Sequence, residues 1–264
     1  MISITTAELY ALMTAIIWPL SRILALIASA PILGNPSLPI RTKLGLAVLI
    51  TILVAPSLDS LPQVDPGSGE GLLILAQQVM IGGAIGFTMR IIFVAVEAAG
   101  EIIGLQMGLG FATIVDPQST SQVPLIGRFL GLIASLAFLA IDGHLIMIAL
   151  ITQSFTTLPI GITGISAISF SHIAHWGQEI FLSGLQLSLP VLAALLITNI
   201  TLGVLSRAAP QLNIFAVGFP LALAVGWLVL AIALPYFTPV LERMIYDGFN
   251  MMMEITHLPD IVFP

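Results

Sequence analysis

Residues 72–96 read LLILAQQVMIGGAIGFTMRIIFVAV, with Arg90 as the single charged side chain. A bilayer span needs about 20 predominantly apolar residues, and in lipid every backbone N–H and C=O must be bonded within the chain. The run is long enough for such a helix. It lacks the polar–apolar alternation of a membrane-barrel strand. We therefore expect an all-α, integral membrane-type protein. Composition agrees: of 264 residues 58% are hydrophobic and 8% charged, where soluble domains carry about 25% charged residues.

Five further apolar segments flank this run, at 9–30, 44–58, 125–151, 180–206 and 214–238, so about six helical segments are expected, several of them broken by Pro or Gly. Only 72–96, 180–206 and 214–238 look like ordinary spans. Segment 44–58 is short, and Asp142-Gly143-His144 interrupts 125–151. The first segment holds Pro19 and Arg22, and the fifth holds Pro190. Thr5 and Glu8 have capping-box spacing, which starts a helix near Thr6. The opening MISITTAELYALM lacks the basic region of a cleavable leader. Arg41 and Lys43 after the first segment place the 31–43 loop on the cytoplasmic side. Pro62, Pro66, Gly67 and Gly69 make 59–71 an irregular linker. From Pro239 to about His257, Leu241, Met244, Ile245, Phe249 and Met252 form one stripe and Arg243, Asp247, Asn250 and Glu254 the other. That pattern is an amphipathic helix lying on a membrane or a partner.

Downstream of the opening run, residues 100–117 read GEIIGLQMGLGFATIVDP. Gly100, Gly104 and Gly108 stand four apart, as do Gly82 and Gly86, and such faces let helix backbones approach closely. Arg90, Glu97 and Glu101 share one helical face. A lone charge at bilayer depth costs roughly 3 kcal/mol or more, so this face must meet water, a counter-charge or a protein partner. The following stretch, with Gln106, Met107, Gly108, Gly110, Phe111, Ile114, Asp116 and Pro117, combines permissive glycines with adaptable apolar side chains. It suits a plug for a conduit or, more plainly, a buried re-entrant turn.

Catalytic signals are lacking. The chain has no cysteine and no HExxH, GxSxG or GxxxxGK[ST] motif, and His172 and His175 have no third metal ligand nearby. No enzyme activity, metal or cofactor is expected, and no basic cluster points to nucleic acid. Asp142 reads as a helix breaker that caps the next helix, which should run to about Ser154. His175, Glu179, Ser183 and Gln186 form a second polar stripe. Arg207, Pro210 and Gln211 read as a tight hairpin turn between the last two segments. A small-solute secondary transporter, with Arg90, Glu97 and Asp142 at the midplane, is the competing reading. The inverted repeats it calls for are not visible.

The order of short motifs along nearly the whole chain resembles the FliR family of flagellar export-gate subunits, related to SpaR and SctT of type III secretion. The resemblance is carried by Trp18-Pro19-Leu20 with Arg22, Ala55-Pro56-Ser57-Leu58, Ala99-Gly100-Glu101-Ile102-Ile103-Gly104-Leu105-Gln106-Met107-Gly108, Asp116-Pro117, Gly143-His144, Leu158-Pro159-Ile160-Gly161, Leu189-Pro190-Val191, Ala209-Pro210-Gln211-Leu212 and Gly218-Phe219-Pro220. It implies a hetero-oligomeric helical channel with FliP and FliQ homologues, with FlhB and FlhA nearby. The setting is the flagellar basal body in the bacterial inner membrane, where unfolded flagellar subunits pass through. It further implies a FliP-like part over 1–170 and a FliQ-like hairpin with an amphipathic tail over 171–264. A plug loop falls at about 106–122. Gly100, Gly104, Glu97, Glu101, Arg90, Arg207, Pro210 and Gln211 then become helix-packing or subunit-interface residues, and the large apolar share becomes subunit interface as well as lipid contact.

Overall fold

A computed structural model describes residues 6–58, 61–62, 64–111, 124–162, 164–209 and 214–259. Among these residues the chain is all-α, with no strand. Helix α1 spans Thr6–Ser29, starting where the capping pattern places it, and it runs through Pro19. The proline ring removes one intrahelical bond without ending the helix. Helix α2 (Ile40–Val54) begins directly after Pro39 and continues into a 3-10 turn, Ala55–Ser57. The shortness expected of segment 44–58 is thereby corrected. Arg41, Thr42 and Lys43 lower the local hydropathy but not the helicity, and Ile40–Ser57 is long and apolar enough to cross a membrane.

Helix α3 (Gly69–Gln106) is 38 residues long. Its start lies inside the linker, where the Ser68 hydroxyl accepts from the Gly71 N–H at 3.0 Å. It also runs ten residues past the apolar run, because Glu97 and Glu101 lie on its exposed face and leave the backbone ladder intact. Helices α4 (Leu125–Ala140) and α5 (Gly143–Thr157) meet at a 65° bend. Asp142 makes the bend in the left-handed conformation, φ 54° and ψ 28°, and its side chain makes no capping bond. The expected side-chain cap is therefore replaced by the backbone. The Asp142 carbonyl accepts from the N–H groups of Leu145 and Ile146, at 2.8 and 3.1 Å.

Helix α6 (Ala167–Trp176) is capped by Ser166, whose hydroxyl accepts from Ser169 N–H at 3.1 Å. Helix α7 (Glu179–Ala208) follows after Gly177–Gln178, so the polar stripe is divided, with His175 on α6 and Glu179, Ser183 and Gln186 on α7. Helix α8 (Ile214–Thr256) continues through Pro220, Pro235 and Pro239. The amphipathic tail is thus the end of a 43-residue helix rather than a helix of its own. Its apolar stripe, Leu241, Met244, Ile245, Phe249 and Met252, is buried by this chain itself. The helix stops at His257, φ 55°. There Leu258 N–H reaches back to Met253 O at 2.9 Å and His257 N–H to Glu254 O at 3.2 Å, the paired bonds of a Schellman cap.

Among the described residues four stretches are long and apolar enough to cross a membrane: α2 with its 3-10 turn, α3, the run Ala167–Ala208, and the run Val217–Thr256. The bent α4–α5 pair makes a fifth. The chain forms two compact units. One comprises Met1–Ile91, Asp142–Gly177 and Ile245–Pro264, and the other Ile92–Ile141 and Gln178–Met244. Trp18, Ile23, Ile81, Ile151 and Phe249 lie in the core of the first; Phe93, Val96, Phe138, Val191 and Leu230 in that of the second. In the second, Phe93 and Phe138 meet edge to face at 5.6 Å. Phe181, Ile197, Ile200 and Val204 of α7 stay largely exposed, a surface suited to lipid or another subunit.

Candidate functional site

The glycines after the opening run do different work. Where α3 crosses α4 in the second unit, a Cβ on Gly100 would lie 2.5 Å from Gly127 Cα and 2.6 Å from its nitrogen. Backbone therefore faces backbone, an approach that only glycine on both helices permits. Gly127 in turn faces the Glu97 carbonyl, and the Glu97 side chain lies across Gly131. On another side of α3, Gly184 of α7 sits against the Ala95 carbonyl, 3.0 Å from where its Cβ would be. Gly104 is different: a Cβ there would make only ordinary contacts with Ile126 and Leu109, at 3.7 Å. Gly108 is required for its backbone, at φ 85°.

That left-handed turn is where the chain leaves α3. Met107 N–H still donates to Ile103 O at 2.9 Å, and Gly108 N–H to Leu105 O at 3.0 Å. A 3-10 turn follows over Leu109–Phe111. Met107 is fully buried, lying against Gly226 of α8, and the neighbouring Trp227 meets Phe129 of α4 edge to face at 6.0 Å. Gln106 is half-buried. Ile114, Asp116, Pro117, Pro210 and Gln211 lie outside the described residues. Arg207 is exposed in the last turn of α7, where a cation suits the helix dipole.

Arg90, Glu97 and Glu101 do lie along one helix, and all three are exposed. Among the described residues none of them is in an ion pair. Ser183 of α7 donates to the Glu179 carboxylate at 2.7 Å. No group of three His, Asp or Glu side chains comes together among the described residues.

Sequence reasoning passed over three features. Gly127 stands four residues before Gly131, and Gly226 four after Ala222, small-residue spacings that were not singled out and that do not say which helix each meets. Arg22 was noted only as an interruption, yet it is a fully buried hub of the first unit. Its Nε donates to Gln78 Oε1 at 2.8 Å, Nη1 to Ser154 O and Oγ at 3.1 and 3.2 Å, and Nη2 to Leu158 O at 2.8 Å. Its guanidinium lies 4.2 Å from the Phe155 ring centroid. It thereby closes the carbonyl end of α5, where a cation is favoured. Gly82 and Gly86 let α3 approach this part of α1, facing the Arg22 carbonyl and Ser29. A signal existed: an arginine within an apolar run must find partners, although the sequence does not say which. The His172–Glu254 pair, 2.6 Å apart at the surface, was equally invisible.

The model of the family described as bacterial export proteins, family 1, matches residues 13–248. The flagellar biosynthetic protein FliR of Escherichia coli K12 is 45% identical over 255 residues, covering 97% of each chain. FliR of Pectobacterium carotovorum is 45% identical over 90% of this chain and 91% of its own. FliR of Bacillus subtilis is 30% identical over 88% of this chain and 89% of its own. With so much of both sequences aligned, the chain belongs to the bacterial export proteins, family 1, the family of FliR.

Proposed function

We propose that the chain is a non-enzymatic subunit of a flagellar protein export gate in the bacterial inner membrane. With FliP and FliQ homologues, and FlhB and FlhA nearby, it forms the channel through which unfolded flagellar subunits leave the cell. The observation that carries this reading is the end-to-end match to proteins named as flagellar biosynthetic FliR. Membrane-length helices with broad exposed apolar faces support it. On this reading residues 1–170 are the FliP-like part and 171–264 the FliQ-like hairpin with its tail.

Within that role, the segment 106–122 is the plug. A tightly packed scaffold, Gly100 on Gly127, holds the end of α3, and a left-handed glycine then turns the chain away. Glu97, Glu101 and Arg90 form a subunit contact, since three charges on an apolar helix need partners other than lipid.

Two measurements test this. Extraction in mild detergent should bring FliP and FliQ homologues down with this chain; a small homo-oligomer without them overturns the subunit assignment. Deleting 108–116 should make assembled gates leaky to ions. Gates that assemble and stay tight without those residues rule out the plug.

A further inference from the structure

We infer that the buried junction of Trp18, Arg22 and Gln78 in the first unit is a binding site for a small monovalent anion, chloride in the cell. The site stands independently of the export role.

A guanidinium keeps its proton inside a protein, so Arg22 brings a positive charge to the place where it is completely buried. Its four hydrogen bonds all go to neutral acceptors: the Gln78 amide oxygen, the Ser154 hydroxyl and the carbonyls of Ser154 and Leu158. No carboxylate pairs with it among the described residues. A buried charge without a counter-charge is costly.

Two further donors at this junction are equally buried and have no partner among the described residues, the Trp18 indole N–H and the Gln78 Nε2. The Gln78 amide cannot turn over to relieve this, because its oxygen must face the Arg22 Nε–H. Helix register brings the two donors together. Gly82 faces the Arg22 carbonyl and Gly86 the Leu26 carbonyl, so α1 and α3 run side by side in one direction, four residues for four. One turn earlier on both helices, Gln78 stands level with Trp18. Trp18 and Arg22 are themselves one turn apart on one face of α1.

A water here would accept from these donors, but it would need acceptors for its own hydrogens and would leave the charge uncompensated. The acceptors at the junction are already engaged by Arg22, and the neighbouring Gln77 amide is turned to the Ile162 carbonyl in the loop after α5. An anion only accepts, and it offsets the charge. Complete burial of all three side chains restricts the ligand to the size of a halide.

The full chain, purified in detergent with gluconate as the sole salt anion, should gain thermal stability when chloride replaces gluconate at constant ionic strength, along a curve that saturates. Bromide should substitute. Of the three tryptophans, only Trp18 remains in a chain with Trp176→Phe and Trp227→Phe. Bromide should quench its fluorescence saturably and chloride should reverse the quench, although a completely buried indole is beyond the reach of a dissolved quencher. Trp18→Phe should raise the chloride midpoint roughly 10-fold, the loss of one hydrogen bond to a charged group. Gln78→Glu sets a carboxylate against Arg22 in place of the amide donors, so it should fold and no longer respond to chloride.

Equal unfolding temperatures in chloride and gluconate, or a Trp18 that bromide leaves unquenched, overturn the site, since a water would then suffice. A gain that never saturates, or that Gln78→Glu keeps in full, overturns it too, because either is an effect of salt on the surface.

Discussion

The Nε of Arg22 on α1 donates to Oε1 of Gln78 on α3 at 2.8 Å, and both side chains are completely buried. The guanidinium also satisfies two carbonyls near the end of α5, so a single residue ties three helices of the first unit. Arg22→Ala should cost about 3–5 kcal/mol, since it strands buried acceptors on all sides. Arg22→Lys should recover only part of this, because an ammonium cannot reproduce the planar fork. Thermal unfolding in detergent measures both. A lysine variant as stable as the parent would contradict the role given to the fork.

The glycines at 100 and 104 should respond in opposite ways. Gly100→Ala forces backbone apart from backbone and should cost about 1–3 kcal/mol. Gly104→Ala meets ordinary contacts and removes a flexible residue from a helix, so it should be neutral or stabilising by about 0.5–1 kcal/mol. Steady-state protein level in the membrane, with unfolding of the purified chain, reports the difference. Equal losses at both positions would mean that the glycine spacing, and not the single close approach, matters.

Among the described residues two non-glycine residues sit at positive φ, Asp142 at 54° and His257 at 55°. Neither conformation suits a side chain, at roughly 1–2 kcal/mol. Asp142→Gly and His257→Gly should each stabilise the chain by up to about 1 kcal/mol. Asp142 forfeits no capping bond in the exchange, having none. A lowered unfolding temperature for Asp142→Gly would show that the left-handed conformation is not a source of strain there.

Glu97 and Glu101 are exposed. Reversing both to Lys should leave the isolated chain within about 0.5 kcal/mol of its parent stability. If their face meets a neighbouring subunit, the yield of co-extracted FliP and FliQ homologues should fall. An unchanged yield removes this face from the interface.

Much of the helix plan was readable from the sequence. Thr6 as a start, the break at Asp142 and the apolar stripe from Leu241 to Met252 all follow from local rules, although that stripe, expected to meet a membrane or a partner, is buried by this chain itself. Helix length was misjudged wherever a local signal lost to the ladder. Glu97 and Glu101 ended the hydropathic run but not α3, and Pro235 and Pro239, one turn apart, did not end α8. The site divides in the same way. Gly100 and Gly108 were legible because spacing and loop chemistry mark them. The partners of Gly127, Gly226, Gln78 and Ser154 were not, because each meets a residue far along the chain, and no periodicity encodes such a meeting.

The glycine-to-glycine crossing of α3 and α4 also ties together the two shores of the stretch between Phe111 and Pro124. Once such ends are fixed to each other, lengthening the span between them costs little; doubling it adds only about 0.6 kcal/mol of closure entropy. Related chains are then free to insert, delete or reshape residues in that interval while the framework beneath stays constant.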